Sequence, residues 1–402
     1  MSTMAIGNSV YWVGVKDPTL PVFDIVMETK HGTTYNAYLV RGEKIAVIDT
    51  VKSGFTAEFI ANITSIVPLD KIDYLIVNHT EPDHAGAIVD LIERNPKIQI
   101  VCSGSALPFV KSTINREANF VTVKDDAIID LGGKKLQFKI MPYMHWPDTM
   151  MEYLVEDRIL FSCDGFAAHV SGESIFADEL IRERASDGTL YDLDYEMRYY
   201  FDAIMRPFSG YIRRNMAKLD SLEPTLLAAS HGPIYRREVR RYVDRYKEWT
   251  IDKADSRRVT LFYASNYGNT LRLAEKLSQE LSKSKFEATL VDASACEPEQ
   301  AQDLIEASGA VVIGTPTFNG DAPKPIWDLV NLFSTVYSIG KKAAVFGSYG
   351  WGGEGSKMVA ERLAGLKLKV YPEPFRARLI PSDEEMAGVE VFAAELARFF
   401  AE

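Results

Sequence analysis

Ile72-Asp-Tyr-Leu-Ile-Val77 is a run of strand length, and it feeds directly into Asn78-His79-Thr80-Glu81-Pro82-Asp83-His84. A short apolar run bounded by a polar turn reads as a strand covered on both faces. The turn that follows holds four metal-binding side chains, His79, Glu81, Asp83 and His84, within six residues. As extended chain, His79, Glu81 and Asp83 alternate at i, i+2, i+4 and point to one side.

The chain has six histidines, and four of them fall in a recognisable order, His79, His84, His145 and His231. His145 follows the strand-like Phe138–Met141, His231 follows Leu226–Ala229, and Asp164 follows Leu160–Cys163. Alone, His145 or His231 reads more readily as a hydrogen-bonded structural histidine. The ordered set His79, Glu81, Asp83, His84, His145, Asp164 and His231 offers four imidazoles and three carboxylates. That is enough for two metals with one bridging carboxylate. A dinuclear zinc hydrolase carries more nitrogen in its first run, in the pattern H-x-H-x-D-H. Glu81 puts a hard oxygen donor at that second histidine position, and carboxylate with imidazole suits iron or manganese as well as zinc.

Further along, Ser265-Asn266-Tyr267-Gly268-Asn269-Thr270 lies between strand-like Val259–Ala264 and helical Thr270–Ser282. Hydroxyls, an amide and a glycine at a helix start form an anion cradle of backbone N–H groups. The loop has no lysine or arginine, which fits the single phosphate monoester of FMN rather than ATP. Neither G-x-x-x-x-G-K nor G-x-G-x-x-G occurs at this turn, so P-loop and dinucleotide readings fall. Two more loops follow later strands, Thr315-Pro316-Thr317-Phe318-Asn319-Gly320 and Ser348-Tyr349-Gly350-Trp351-Gly352-Gly353-Glu354. Their small residues admit a planar ring, and Phe318, Tyr349 and Trp351 are able to stack on it.

Strands at Val22–Met27, Tyr35–Val40, Lys44–Asp49, Ile98–Cys102, Phe120–Val123, Lys135–Met141 and Arg158–Cys163 are expected, with a helix over Thr56–Val67. Residues 171–200, acidic and rich in aromatics, read as an insertion that covers something. The polar stretch Thr250–Arg258 separates a domain of residues 1–250 from one of residues 256–402. The second domain alternates strand and helix with a regularity that predicts a doubly wound parallel sheet, its ligand at the C-terminal ends of the strands.

A length of 402 residues exceeds one ordinary core. A composition of 47% hydrophobic and 25% charged residues is that of a soluble globular protein. The net charge of −11 disfavours a nucleic-acid partner, which needs a basic face. No apolar run approaches the roughly 20 residues of a membrane helix. The N-terminus shows no basic segment followed by an apolar one, so no signal peptide is expected. The three cysteines, Cys102, Cys163 and Cys296, form no C-x-x-C pair, and a cytoplasmic location is expected.

With these motifs assembled, the chain resembles the flavodiiron proteins, in their minimal two-domain A-type form, the rubredoxin:oxygen oxidoreductase and nitric oxide reductase family. The likeness spans essentially the whole length. It is carried by Gly32-Thr-Thr-Tyr-Asn-Ala-Tyr38, the H-x-E-x-D-H run, His145-Trp-Pro-Asp148, Asp164, Ser230-His-Gly232 and the three flavin loops. The resemblance implies an α/β fold, a metallo-β-lactamase-like αββα sandwich holding two irons, followed by a flavodoxin-like sheet that binds FMN. It places His79, Glu81 and His145 on one iron and Asp83, His84 and His231 on the other, with Asp164 between them. In some relatives the side chain at the His84 position turns away from the metal. The family reduces dioxygen to water, nitric oxide to nitrous oxide, or both, with electrons from rubredoxin or a similar donor. Absent paired C-x-x-C motifs, that donor is expected to be a separate protein.

A head-to-tail homodimer, or a tetramer made from two of them, is expected to bring each flavin to the partner's metals. Trp146 or Asp148 is expected to orient His145. His31 and His169 are left unassigned, each read as structural before functional, with a reach of His31 into the distal pocket the alternative. The competing reading is a dinuclear zinc hydrolase with an appended flavodoxin-like module.

Overall fold

The computed structural model describes residues 3–401; Met1, Ser2 and Glu402, which belong to the termini read above, lie outside it. The chain divides into two compact units, Met1–Ile251 and Asp252–Glu402. In the first, a seven-stranded sheet runs in the order Met4–Gly7, Val10–Trp12, Tyr38–Arg41, Ile45–Ile48, Tyr74–Val77, Gln99–Ser103, Asn119–Val123. A five-stranded sheet is ordered Ile128–Asp130, Lys135–Ile140, Met150–Leu154, Ile159–Cys163, Leu226–Ala229.

The two sheets meet face to face. Tyr38, Ile48 and Ile76 of one share a buried cluster with Phe138, Met150, Leu154 and Phe161 of the other. Full burial of a phenylalanine such as Phe138 contributes roughly 2–3 kcal/mol. The outer faces carry helices. Leu75, Val77, Met151 and Leu160 join a second cluster with residues of Thr56–Thr64, Ile88–Arg94, Ser209–Met216 and Val239–Trp249. The layers are therefore α, β, β, α. Strands covered on both faces are apolar throughout, as in Leu226–Ala229, because neither side meets water.

Three local expectations need correction. The run from His79 is not an extended, alternating stretch. Glu81 is extended (φ −59°, ψ 143°), and Pro82–Ala85 then forms a helical turn with the proline at its start. The ring of Pro82 fixes φ at a helical value and lacks only an N–H that the first turn would leave unpaired. Asp83 and His84 thus project from a helical turn. The Val22–Met27 strand is instead a hairpin, Val22–Phe23 paired with Met27–Glu28, turning through Asp24 and Ile25 at positive φ. The Tyr35–Val40 strand breaks at Asn36, which is drawn toward the other sheet. Its side chain donates to the carbonyls of Ala229 (2.8 Å) and Gly232 (2.9 Å), and accepts from the Trp12 indole (2.8 Å). The strand Met150–Leu154 had no counterpart in the sequence reading.

In the second unit a parallel sheet runs Glu287–Asp292, Asp255–Tyr263, Ser308–Pro316, Lys342–Tyr349, with Lys369–Val370 and Phe375–Arg378 both pairing with the last of these. Helices Pro298–Ala307, Lys324–Asn331 and Glu354–Gly365 supply one buried cluster, and Asn269–Lys283 with Asp383–Ala401 the other. The sheet is doubly wound. Its order reverses between Asp255–Tyr263 and Ser308–Pro316, the point where a ligand crevice opens.

Gly232 holds the loop that follows Leu226–Ala229 in place. It has φ +73°, and a Cβ there would stand 1.9 Å from the carbonyl oxygen of Ala168. Gly232→Ala is expected to lower stability by roughly 1–3 kcal/mol in urea unfolding and to displace the adjacent His231.

Candidate metal centre and flavin loops

The seven residues marked in the sequence converge beyond the strand ends of the sandwich. His79 Nε2 lies 3.0 Å from Glu81 Oε2, and His145 Nε2 lies 3.3 Å from the same oxygen. Both imidazoles also face Asp164 Oδ2, at 3.8 and 3.6 Å. On the other side, His84 Nε2 and His231 Nε2 stand 3.2 and 3.4 Å from Asp164 Oδ1. Asp83 closes this second group, its Oδ1 3.5 Å from His84 and its Oδ2 3.2 Å from His231. The Asp164 carboxylate therefore divides two cups of nitrogen and oxygen donors, one oxygen to each. His84 is turned inward.

The donor set fits a pair of metals. Both oxygens of Asp83, both of Asp164, and His84 Nε2 are buried without a hydrogen-bond partner. Buried polar atoms are otherwise paired in folded proteins, and cations bound in the two cups would pair these. Burial opposes charge on Asp164, Glu81 and His145, yet mutual attraction prevails. His84, His145 and His231 hold the Asp164 carboxyl well below its usual range, and His145 and His79 draw Glu81 down to about 2. The neighbouring Asp164 and Glu81 carboxylates outweigh burial and raise His145 to about 10. Metal loading must therefore displace protons from imidazoles and strengthens as pH rises.

Groups behind the cups aim the imidazoles. Asp148, fully buried, accepts from His79 Nδ1 at 3.1 Å and from the backbone N–H (2.8 Å) and hydroxyl (2.6 Å) of Thr80. This corrects the expectation that Asp148 orients His145: its partner is His79, which it turns with Nε2 toward the cup. Trp146 packs edge-on against His79, ring centroids 4.9 Å apart. His231 Nδ1 donates to the Thr34 carbonyl at 2.8 Å, and the Thr34 hydroxyl accepts from the Gly232 N–H at 2.8 Å. Thr34 was missed as an orienting residue because a carbonyl leaves no side-chain signal.

His169 pairs with the Thr33 hydroxyl (2.8 Å) and packs at a tilt against Phe23 (ring centroids 4.2 Å apart), while His31 lies 3.6 Å from Glu196. From the 171–200 segment, Tyr200 sets its ring 5.1 Å from that of His169 and 6.3 Å from that of His231. The segment therefore does cover part of the site.

The second unit carries the three loops on adjacent strands. Gly268, at φ +80° with nothing within 4 Å of a built Cβ, starts the helix Asn269–Lys283. In its first turn the Leu271 N–H donates to the Ser265 hydroxyl at 3.3 Å, and the N–H groups of a helix start face an anion. Thr270 and Ser348 join the first and third loops through their hydroxyls (2.8 Å), and Thr317 N–H reaches the Ser348 carbonyl (3.1 Å). Asn319 and Gly320 turn at positive φ. Tyr267, Phe318 and Trp351 stand 91%, 54% and 82% exposed around the loops. Exposed aromatics grouped in this way mark a surface for a planar ligand.

Comparison with known proteins agrees with both halves. Residues 33–232 match the ODP family beta lactamase, and residues 261–389 match Flavodoxin. The chain is 35% identical over 407 residues to the flavo-diiron protein FprA2 of Clostridium acetobutylicum, covering 99% of this chain and 100% of that one. It is 30% identical to the anaerobic nitric oxide reductase flavorubredoxin of Shigella flexneri, covering 99% of this chain and 83% of that one. Among solved structures, the rubredoxin oxygen:oxidoreductase of Desulfovibrio gigas matches with a TM-score of 0.69 at 27% identity, covering 100% of this chain and 99% of that one.

Asp148→Ala leaves His79 Nδ1 buried without an acceptor. It is expected to weaken metal affinity roughly 10–100-fold, measured by chelator competition.

Proposed function

The chain belongs to the flavodiiron protein family, and from that premise we propose that it reduces dioxygen to water, nitric oxide to nitrous oxide, or both, at a non-haem diiron centre fed by FMN. The observation that carries this reading is the division of the Asp164 carboxylate between two cups of imidazole and carboxylate donors. We assign His79, Glu81 and His145 to one iron and Asp83, His84 and His231 to the other, with Asp164 shared. The oxygen donor Glu81 at the second position, together with a flavodoxin unit on the same chain, removes the zinc-hydrolase alternative.

For FMN, we assign the phosphate to Ser265, Asn266, Tyr267, Gly268, Asn269 and Thr270. The flavin ring goes to Pro316, Thr317, Phe318, Asn319 and Gly320 with Ser348, Tyr349, Gly350, Trp351, Gly352 and Gly353.

When bound, the pair of irons would supply two electrons and the reduced flavin two more, the four that dioxygen requires. The chain's own residues do the rest. Asp148 and the Thr34 carbonyl fix which nitrogen of His79 and His231 faces the cups. Phe23 and Tyr200, packed around His169 and His231, keep bulk water from that side. A closed, low-dielectric pocket strengthens every charge interaction within it.

Electrons come from a separate donor, rubredoxin or a protein like it. Among the described residues no helix is long and apolar enough to cross a membrane. The free thiols Cys102, Cys163 and Cys296 favour a reducing cytoplasm.

His79→Ala and Asp164→Ala are each expected to cut oxygen or nitric oxide consumption by about 100-fold or more in anaerobic stopped-flow assays with either gas. Purified protein is expected to be coloured and to contain iron and FMN; a colourless, zinc-only preparation would sink the assignment. The native assembly is a head-to-tail dimer, or two such dimers paired, that presents the flavin loops of one copy to the metal centre of another. Sedimentation analysis is expected to show no active monomer.

A further inference from the structure

His169 is a histidine that the metal assignment leaves without a task. It is 1% exposed, and its Nε2 is buried without a hydrogen-bond partner. Burial keeps the ring neutral, so it carries one proton, on Nδ1 or on Nε2. The Thr33 hydroxyl decides which. It lies 2.8 Å from His169 Nδ1 and 3.3 Å from the Thr34 carbonyl. The first is an ordinary hydrogen-bond length and the second is long. That carbonyl, moreover, already accepts from His231 Nδ1 at 2.8 Å. The hydroxyl proton therefore points to Nδ1, and the ring proton sits on Nε2. A buried N–H with nothing to receive it costs free energy until an acceptor joins it.

The fold shows where that acceptor belongs. His169 and His231 are tethered through Nδ1 to consecutive residues of the strand Thr33–Tyr35, with their rings 5.2 Å apart. In each ring Nε2 lies across from Nδ1, on the side away from the strand. There His231 Nε2 meets Asp83 and Asp164, the carboxylates of the second cup. His169 Nε2 thus faces the space beside that cup. Phe23 (4.2 Å between ring centroids) and Tyr200 (5.1 Å) close this space from two sides. Among the described residues no acceptor reaches the N–H.

We propose that His169 Nε2–H donates a hydrogen bond to the small ligand that enters beside the second cup, dioxygen, nitric oxide or an anion of similar size. The inference rests on the reductase reading above and adds a substrate contact to it. The ring passes on neither a proton nor an electron. Its N–H is aimed in advance by Thr33 and meets an acceptor that gains negative charge as electrons arrive, so the contact tightens along the reaction.

Two variants separate this role from a structural one. In His169→Asn the amide oxygen takes the place of Nδ1 and still accepts from Thr33, but the Nε2 position is empty. In His169→Gln an amide N–H takes the place of Nε2. Azide, a triatomic anion, is the probe. Optical titration of the oxidised, iron-loaded protein is expected to show azide binding weakened about tenfold or more in His169→Asn and close to wild type in His169→Gln. The kcat for the gas is expected to fall about tenfold or more in His169→Asn and to recover in His169→Gln, with iron and FMN contents unchanged. Azide held as tightly by His169→Asn as by wild type, or no better by His169→Gln than by His169→Asn, would overturn the proposal.

Infrared spectra of wild-type protein with azide give a check that needs no variant and decides the matter should His169→Asn fail to fold. The antisymmetric stretch of bound azide is expected to shift in D2O, where the Nε2 proton is exchanged. The same frequency in both solvents would overturn the proposal. Wild-type protein that holds iron and binds azide yet consumes neither gas would instead defeat the reductase reading itself.

Discussion

Asp164 stands where two sets of buried charges would otherwise repel or drift apart. One carboxylate oxygen faces His79 and His145, the other His84 and His231. Three carboxylates and four imidazoles in a pocket almost closed to water are tolerable only as a mutually compensating set. Two divalent cations would more than balance the three negative charges and pair the oxygens that lack partners. The sandwich supplies the rigidity this requires. Each functional side chain leaves a segment that follows the end of a buried strand, a helical turn for Asp83 and His84 and loops for the others. Asn36 ties one sheet to the loop carrying His231.

Much of this was legible from residue order because burial on both faces leaves a distinct trace. Tyr74–Val77, Ile159–Cys163 and Leu226–Ala229 are apolar runs that end at polar, metal-binding residues, and the second unit alternates strand and helix as far as Glu354–Gly365. What escaped the reading has physical causes. Pro82 favours a helical turn that an alternating H-x-E-x-D pattern conceals. Asp24 and Ile25 take left-handed backbone angles that their side chains do not advertise. Met150–Leu154 was hidden because a glutamate interrupts its apolar side. The partner of Asp148 and the role of the Thr34 carbonyl depend on contacts between distant segments, which spacing along the chain does not encode.

The two units hold their cofactors by opposite means. The metal centre uses side chains whose charges must cancel, so almost every substitution in it changes the local balance. The loops proposed for the flavin offer backbone N–H groups, small residues and exposed rings, so their chemistry lies in conformation more than in residue identity. This explains why the first was read from an unusual cluster of residue types and the second from glycine and hydroxyl residues at a strand-to-helix turn.

Trp351 gives the flavin unit an internal optical reporter. The chain has five tryptophans, and this one projects almost freely into solvent from a loop beside the flavin crevice. A freely hydrated indole emits at long wavelength, and an isoalloxazine ring placed beside it absorbs in the same region. Filling of the crevice would therefore quench the red edge of the intrinsic fluorescence, and occupancy could be followed without an added dye.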